Sequence, residues 1–125
     1  MDQMSAIKAD YYLYGIETGI IHYDEAIKWA DSVVEATDEP LVEFIELALS
    51  KARGRNGVME ALNDIPGERD RVAAGKYLLG LLKLKLNRGA SVKEISKKSM
   101  DVASVTQQPE DDYYSFDMID DEISL

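Results

Sequence analysis

Few side chains in this chain could do covalent or acid–base chemistry. His22 is the one histidine among 125 residues, and there is no cysteine. A Cys–His or Ser–His–Asp arrangement would have to use His22, and neither its neighbours nor its position supplies one. A zinc site with two imidazoles is excluded, as are disulfides. His22 falls at the junction of two expected helices, where a capping or solvent-facing role is expected. Carboxylates are plentiful but unsorted. Asp111, Asp112, Asp117, Asp120, Asp121 and Glu122 crowd one stretch, yet they lack the glycine and twelve-residue order of a calcium loop. Nothing selects one pair of acids for glycoside hydrolysis. Neither G-x-x-x-x-G-K-[ST] nor G-x-G-x-x-G occurs, so there is no sequence signature of a phosphate cradle. No catalytic residue, metal ligand or cofactor is assigned, and the chain is expected not to be an enzyme.

The informative polar feature is the stretch after Pro109, E-D-D-Y-Y-S-F-D-M-I-D-D-E-I-S-L. It interleaves acids with large apolar side chains and has no basic residue. Aromatics supply contact area at an interface, and acids steer a basic partner towards it. Asp111, Asp112, Tyr113, Tyr114, Phe116, Asp117, Asp120 and Asp121 are therefore the first candidates for partner binding. The same stretch is also expected to dock its aromatics on the helical domain, over the basic side chains Lys83, Lys85, Lys97 and Lys98. A second candidate surface is the acidic outer face of the second and third helices: Asp24, Glu35, Asp38, Glu39, Glu43 and Glu46.

Charge is divided along the chain. Residues 1–50 carry eleven acids and two basic residues, 51–98 carry five acids and twelve basic residues, and 99–125 carry eight acids and none. The net charge of −10 disfavours nucleic acid and anionic membrane and favours a basic partner. The absence of cysteine, of a basic-then-apolar leader and of an 18-residue apolar run makes a cytoplasmic location the expectation.

These residues need elements to position them. Apolar period and end signals predict an all-α protein of five or six helices. A first helix is expected from Ser5 to about Thr18, with Ile7, Tyr11, Leu13 and Tyr14 inside and Gly19 as its stop. In the second, with Asp24 and Glu25 in the first turn, Ile27, Ala30, Val33 and Val34 face inwards and Trp29 lies off centre. The third starts at Pro40, buries Leu41, Phe44, Ile45, Ala48 and Leu49, and ends at Gly54. A short fourth follows Asn56-Gly57. Pro66 to Gly89 reads as the central helix: Val72, Gly75, Leu79, Leu82 and Leu86 form one stripe, and Leu78 and Leu81 widen it. Its cations Arg69, Arg71, Lys76, Lys83 and Lys85 are expected to help anchor the acidic ends of the chain. Ser91-Val92-Lys93-Glu94 is a capping box that opens the last helix, whose apolar face is Val92, Ile95, Met100 and Val102. The expected organisation is one helical domain over 1–106, followed by an acidic, aromatic-containing segment over 107–125.

Two resemblances bear on function. The opening of Ser91–Thr106, V-K-E-I-S-K-K-S, is like the first helix of a helix-turn-helix repressor, but Met100 stands where the turn glycine belongs and an acidic stretch follows. Tyr14-Gly15-Ile16-Glu17-Thr18-Gly19-Ile20-Ile21, then Ala26-Ile27-Lys28-Trp29-Ala30-Asp31, then Glu46-Leu47-Ala48-Leu49-Ser50, resembles small helical bacterial proteins of the toxin-immunity type over about residues 14–65. That resemblance implies a non-enzymatic protein that neutralises a cognate toxin domain by tight binding, and it transfers no site residue. The expected partner is a basic, nuclease-type toxin domain, with no nucleic acid and no membrane. The alternative is a helix-turn-helix regulator or another helical adaptor.

Overall fold

The computed structural model describes residues 3–109. Among them are six α-helices, one 3-10 turn and no strand, so the fold is all-α. The chain divides into two units, Met1–Asp70 and Arg71–Leu125.

The first unit contains α1 (Gln3–Glu17), α2 (Tyr23–Ala36), α3 (Val42–Ala48), the 3-10 turn (Ser50–Arg53) and α4 (Gly54–Asn63). Helix α1 starts before Ser5, so that residue lies within the helix and not at its cap. Its inner face is Ala6, Ile7, Ala9, Leu13 and Ile16, while Tyr11 and Tyr14 are only half-buried. The helix stops where expected. Gly19 takes φ 77°, its N–H reaches Ile16 O at 3.1 Å, and the Ile20 N–H reaches Gly15 O at 2.9 Å. This is a Schellman-type closure, which needs the left-handed residue that glycine supplies. A Cβ on Gly15 would lie 2.5 Å from Ile21 Cδ1, so the close approach at Gly15 is to the chain's own turn.

Helix α2 packs on both α1 and α3, which rotates its buried face towards Ala26, Ile27, Trp29 and Ala30. Trp29 is therefore central rather than off centre: it is 9% exposed, stacks on Tyr12 at 5.2 Å and meets Phe44 edge-on at 5.2 Å. Val33 and Val34 pack at the margin of the core. Helix α3 also differs from expectation. Phe44 and Leu47 are buried, whereas Leu41, Ile45 and Leu49 are exposed. This seven-residue helix packs on α2, α4 and the 3-10 turn through the face of Phe44 and Leu47, and its other face is apolar too. Helix α4 begins at Gly54, which has φ 73°, and runs through Gly57, over which the Arg53 side chain lies.

The first unit closes on a buried ion pair. Asp10 of α1 is 3% exposed. Its Oδ1 accepts from Arg69 Nε at 2.8 Å and Nη2 at 2.7 Å, and its Oδ2 accepts from the Asp70 N–H at 2.9 Å. Arg69 Nη1 donates to Leu62 O at 3.1 Å and Ile65 O at 2.9 Å, satisfying carbonyls at the end of α4. The expected start of a helix at Pro66 fails here. Gly67 has φ 120°, outside any helix, and residues 66–70 form a non-helical connection held by Asp10.

The second unit contains α5 (Arg71–Asn87) and α6 (Val92–Val105), packed on each other. Ala74, Gly75, Leu78, Leu79 and Leu82 form the buried face of α5. The principal cluster of buried apolar residues, Ala9 to Ile65, belongs to the first unit; the helix expected to be central instead pairs with α6. Ser91 caps α6, its Oγ accepting from the Glu94 N–H at 3.4 Å. Ile95, Ser99, Val102 and Ala103 are the buried face, and Met100, expected inside, is exposed. After α6, Gln107 takes φ 54°, and Gln108 turns back to α5, donating from Nε2 to Val72 O at 2.8 Å and to Thr106 Oγ1 at 3.0 Å. Thr106 and Gln108 occupy the space a side chain at Gly75 would need.

Candidate protein-binding surface

Helix α3 places Leu41, Ile45 and Leu49 at intervals of four residues, so the three share one face. Val42 lies beside them. All four are exposed, Leu49 at 75% and Val42 at 58%. An exposed run of this kind is unusual on a small protein and marks a surface that a partner can cover.

Carboxylates border the stripe. Glu46 lies beside it on α3, Asp38 and Glu39 precede it, and Glu35 is at the end of α2; these four are exposed, and Glu43 is half-buried. Glu35, Asp38, Glu39, Glu43 and Glu46 form no ion pair with any described residue. The nearby cations of the 3-10 turn are engaged: Lys51 lies 3.7 Å from Asp24, and Arg53 pairs with Glu60 at 2.9 Å. Asp24 differs from the other five. It is half-buried in the first turn of α2, with the Lys51 ammonium 3.7 Å away. Four of the six acids of the second candidate surface, Glu35, Asp38, Glu39 and Glu46, are thus exposed, and the sequence pattern had placed Leu41, Ile45 and Leu49 inside.

The first-choice residues, Asp111, Asp112, Tyr113, Tyr114, Phe116, Asp117, Asp120 and Asp121, lie outside the described residues. His22 is the N-cap of α2: its Nδ1 accepts from the Asp24 N–H at 3.1 Å, which requires that nitrogen to be unprotonated. It stacks on Tyr23 at 4.4 Å. A shallow depression of about 450 Å³ is lined by Ile16, Gly19, Ile20, Ile21, His22, Tyr23 and Arg55. His22 and Arg55 in its lining both serve the fold, His22 as the α2 cap and Arg55 through Nη2, which donates to Ile16 O and Glu17 O at 3.4 Å. No group of three potential metal ligands occurs among the described residues, and no described helix is long and apolar enough to cross a membrane.

The environment raises the pKa of two tyrosines. Burial, followed by the negative charge of Glu25, pushes the Tyr11 phenol above its usual 10.0. Burial, then Tyr11, then Glu25 do the same to Tyr12. Tyr12 stacks on Trp29 at the core margin, and Tyr11 meets Tyr12 edge-on at 5.1 Å.

Compared with protein-family models, with curated proteins and with solved structures, the chain gives no match.

Proposed function

We propose that this chain acts by binding another protein, performs no reaction of its own, and serves as a bacterial immunity protein that neutralises a cognate toxin domain. The observation that carries the binding role is the α3 stripe: Leu41, Val42, Ile45 and Leu49 exposed together, bordered by carboxylates that no described cation neutralises. The complementary surface is a protein face with apolar side chains at its centre and Lys or Arg around them. Opposite charge raises the encounter rate, and desolvated apolar anchors then hold the complex. A basic nuclease-type domain has this chemistry. The immunity role itself rests on the resemblance over residues 14–65 and on the acidic charge. The acids and aromatics at 111–121 are a further part of the proposed binding surface.

The alternative of a helix-turn-helix regulator is less well supported. Ser91–Thr106 holds one continuous helix, Val92–Val105, and Met100 lies within it rather than at a turn between two helices.

The test is co-expression with candidate toxin domains of the basic, nuclease type. A stable complex, protection of the cells, and association that slows with added salt are expected. Ile45→Asp and Leu49→Asp should abolish the complex while leaving the helical circular dichroism unchanged, since both side chains are exposed. A partner that binds both variants as tightly as the parent chain would remove α3 from the site. Absence of both complex and protection would remove the immunity role.

A further inference from the structure

Helix α5 carries an exposed apolar stripe of its own. Tyr77 is 55% exposed and Leu84 46% exposed; seven residues apart, they share one side of the helix, while Leu78 and Leu82 are buried on the other. Between them is Gly80, exposed and with nothing within 4 Å of a Cβ built on it. A glycine inside a helix lowers its stability, and no positive φ requires one here. It leaves the helix backbone bare, so that another chain can come close. The surroundings are basic. Helix α5 carries Arg71, Lys76, Lys83 and Lys85 and no acid, and Arg88 follows. Lys76, Lys83 and Arg88 are exposed and form no ion pair with any described residue.

A surface of the complementary kind is present on every copy of this chain. It is the α3 stripe of Leu41, Val42, Ile45 and Leu49, bordered by the exposed carboxylates of Glu35, Asp38, Glu39 and Glu46. The two stripes match in length: Leu41 to Leu49 spans about 12 Å and Tyr77 to Leu84 about 10 Å along a helix axis. They also match in charge, with four unpaired carboxylates around one and three unpaired cations around the other. Like faces do not pair. Two α3 stripes would bring carboxylates together, and two α5 stripes would bring cations together, which opposes both contacts.

We infer that this chain self-associates head to tail, the α3 stripe of one copy seated on the Tyr77–Gly80–Leu84 face of α5 of another. The contact is heterologous, so each added copy leaves one face of each kind free, and association continues into short runs of copies unless a ring closes. Six apolar side chains fall short of the ~1,600 Å² of a standard stable interface. The contact is therefore transient, and dilute chain keeps its α3 face open. The inference stands on exposure and charge and does not use the toxin reading; its test contains no toxin, so either can fail alone.

The test is sedimentation velocity of the full-length chain in low salt, from micromolar to millimolar concentration. The parent chain should sediment faster as concentration rises and return to monomer in high salt. Two variants each remove one face: Ile45→Asp with Leu49→Asp on α3, and Lys83→Glu with Leu84→Asp on α5. All four side chains are exposed, so the helical circular dichroism should be unchanged. Each variant alone should stay monomeric at every concentration. Mixed in equal amounts they should form a species of twice the monomer mass and nothing larger, because one intact α3 face and one intact α5 face remain between them. That pairing also shows that each variant is folded at its remaining face. A parent chain that is monomeric throughout would overturn the proposal. So would a mixture that forms no dimer, or a single variant that assembles as the parent does.

Discussion

Removing Arg69 should be among the most damaging single changes to the first unit. Asp10 is buried, and three donors hold its carboxylate: Arg69 Nε, Arg69 Nη2 and the Asp70 N–H. Arg69→Ala removes two of the three, together with the positive charge, and also strips the donor from Leu62 O and Ile65 O. Breaking one side of a buried pair typically costs ~3–5 kcal/mol, because the remaining charge is left uncompensated. That is a large fraction of the ~5–15 kcal/mol by which a small domain is stable. Arg69→Lys should recover only part of the loss, since one ammonium cannot reproduce the planar fork. The double variant Asp10→Leu with Arg69→Met should be less destabilised than Arg69→Ala alone, because no buried charge remains. The assay is urea denaturation followed by the fluorescence of Trp29, the single tryptophan, whose ring sits between Tyr12 and Phe44 in the same unit. A loss below ~1 kcal/mol for Arg69→Ala would refute the reasoning, since it would mean that Asp10 is solvated without its partner.

Three further outcomes are expected. Leu82→Ala, at a position 1% exposed, should destabilise the second unit by ~2–5 kcal/mol through lost burial and an added cavity, measured by denaturant-induced loss of helical signal. Gly75→Ala should be destabilising by ~1–3 kcal/mol despite alanine's better helix propensity, because Thr106 and Gln108 fill the space; a stabilised variant would show that the Gln108 contact to α5 is not formed. Alkaline pH should weaken the first unit: the unfolded tyrosines release protons near 10.0, whereas Tyr11 and Tyr12 retain theirs in the fold. Above that pH the folded state binds more protons than the unfolded state, so stability falls as pH rises. Tyr11→Phe with Tyr12→Phe should flatten that part of the curve of denaturation midpoint against pH.

What the sequence disclosed is what is decided over a few residues. Ser91 caps α6 three residues from Glu94, Gly19 closes α1 in the left-handed region, and the all-α class follows from apolar period. The ties that place elements against one another were not legible. Asp10 and Arg69 are 59 residues apart, and Gln108 and Val72 are 36 apart; no local pattern links either pair. Arg69 was expected to anchor an acidic part of the chain and does so, but from a non-helical connection rather than from the helix. Pro66 looked like a helix start, yet the neighbouring Gly67 takes a φ that no helix allows.

The candidate surfaces were hidden for a different reason. Period identifies the inner face of a helix only when the other face is polar. Helix α3 has Phe44 and Leu47 on one side and Leu41, Ile45 and Leu49 on the other; α5 has Leu78 and Leu82 on one side and Tyr77 and Leu84 on the other. In α3 the pattern placed Leu41, Ile45 and Leu49 inside, and the packing leaves them exposed; in α5 it marked the stripe of Leu79 and Leu82 and gave Tyr77 no place. The two exposed stripes then differ in their neighbours, and that difference assigns them. Carboxylates border the α3 stripe, so an acidic segment meets like charge there and a basic partner meets opposite charge. Lysines and an arginine border the α5 stripe, where the order of preference reverses. Reversing the charges tests the assignment directly. Glu39→Lys with Glu46→Lys should slow capture of a basic partner by the α3 face, and Lys76→Glu with Lys83→Glu should leave that capture unchanged.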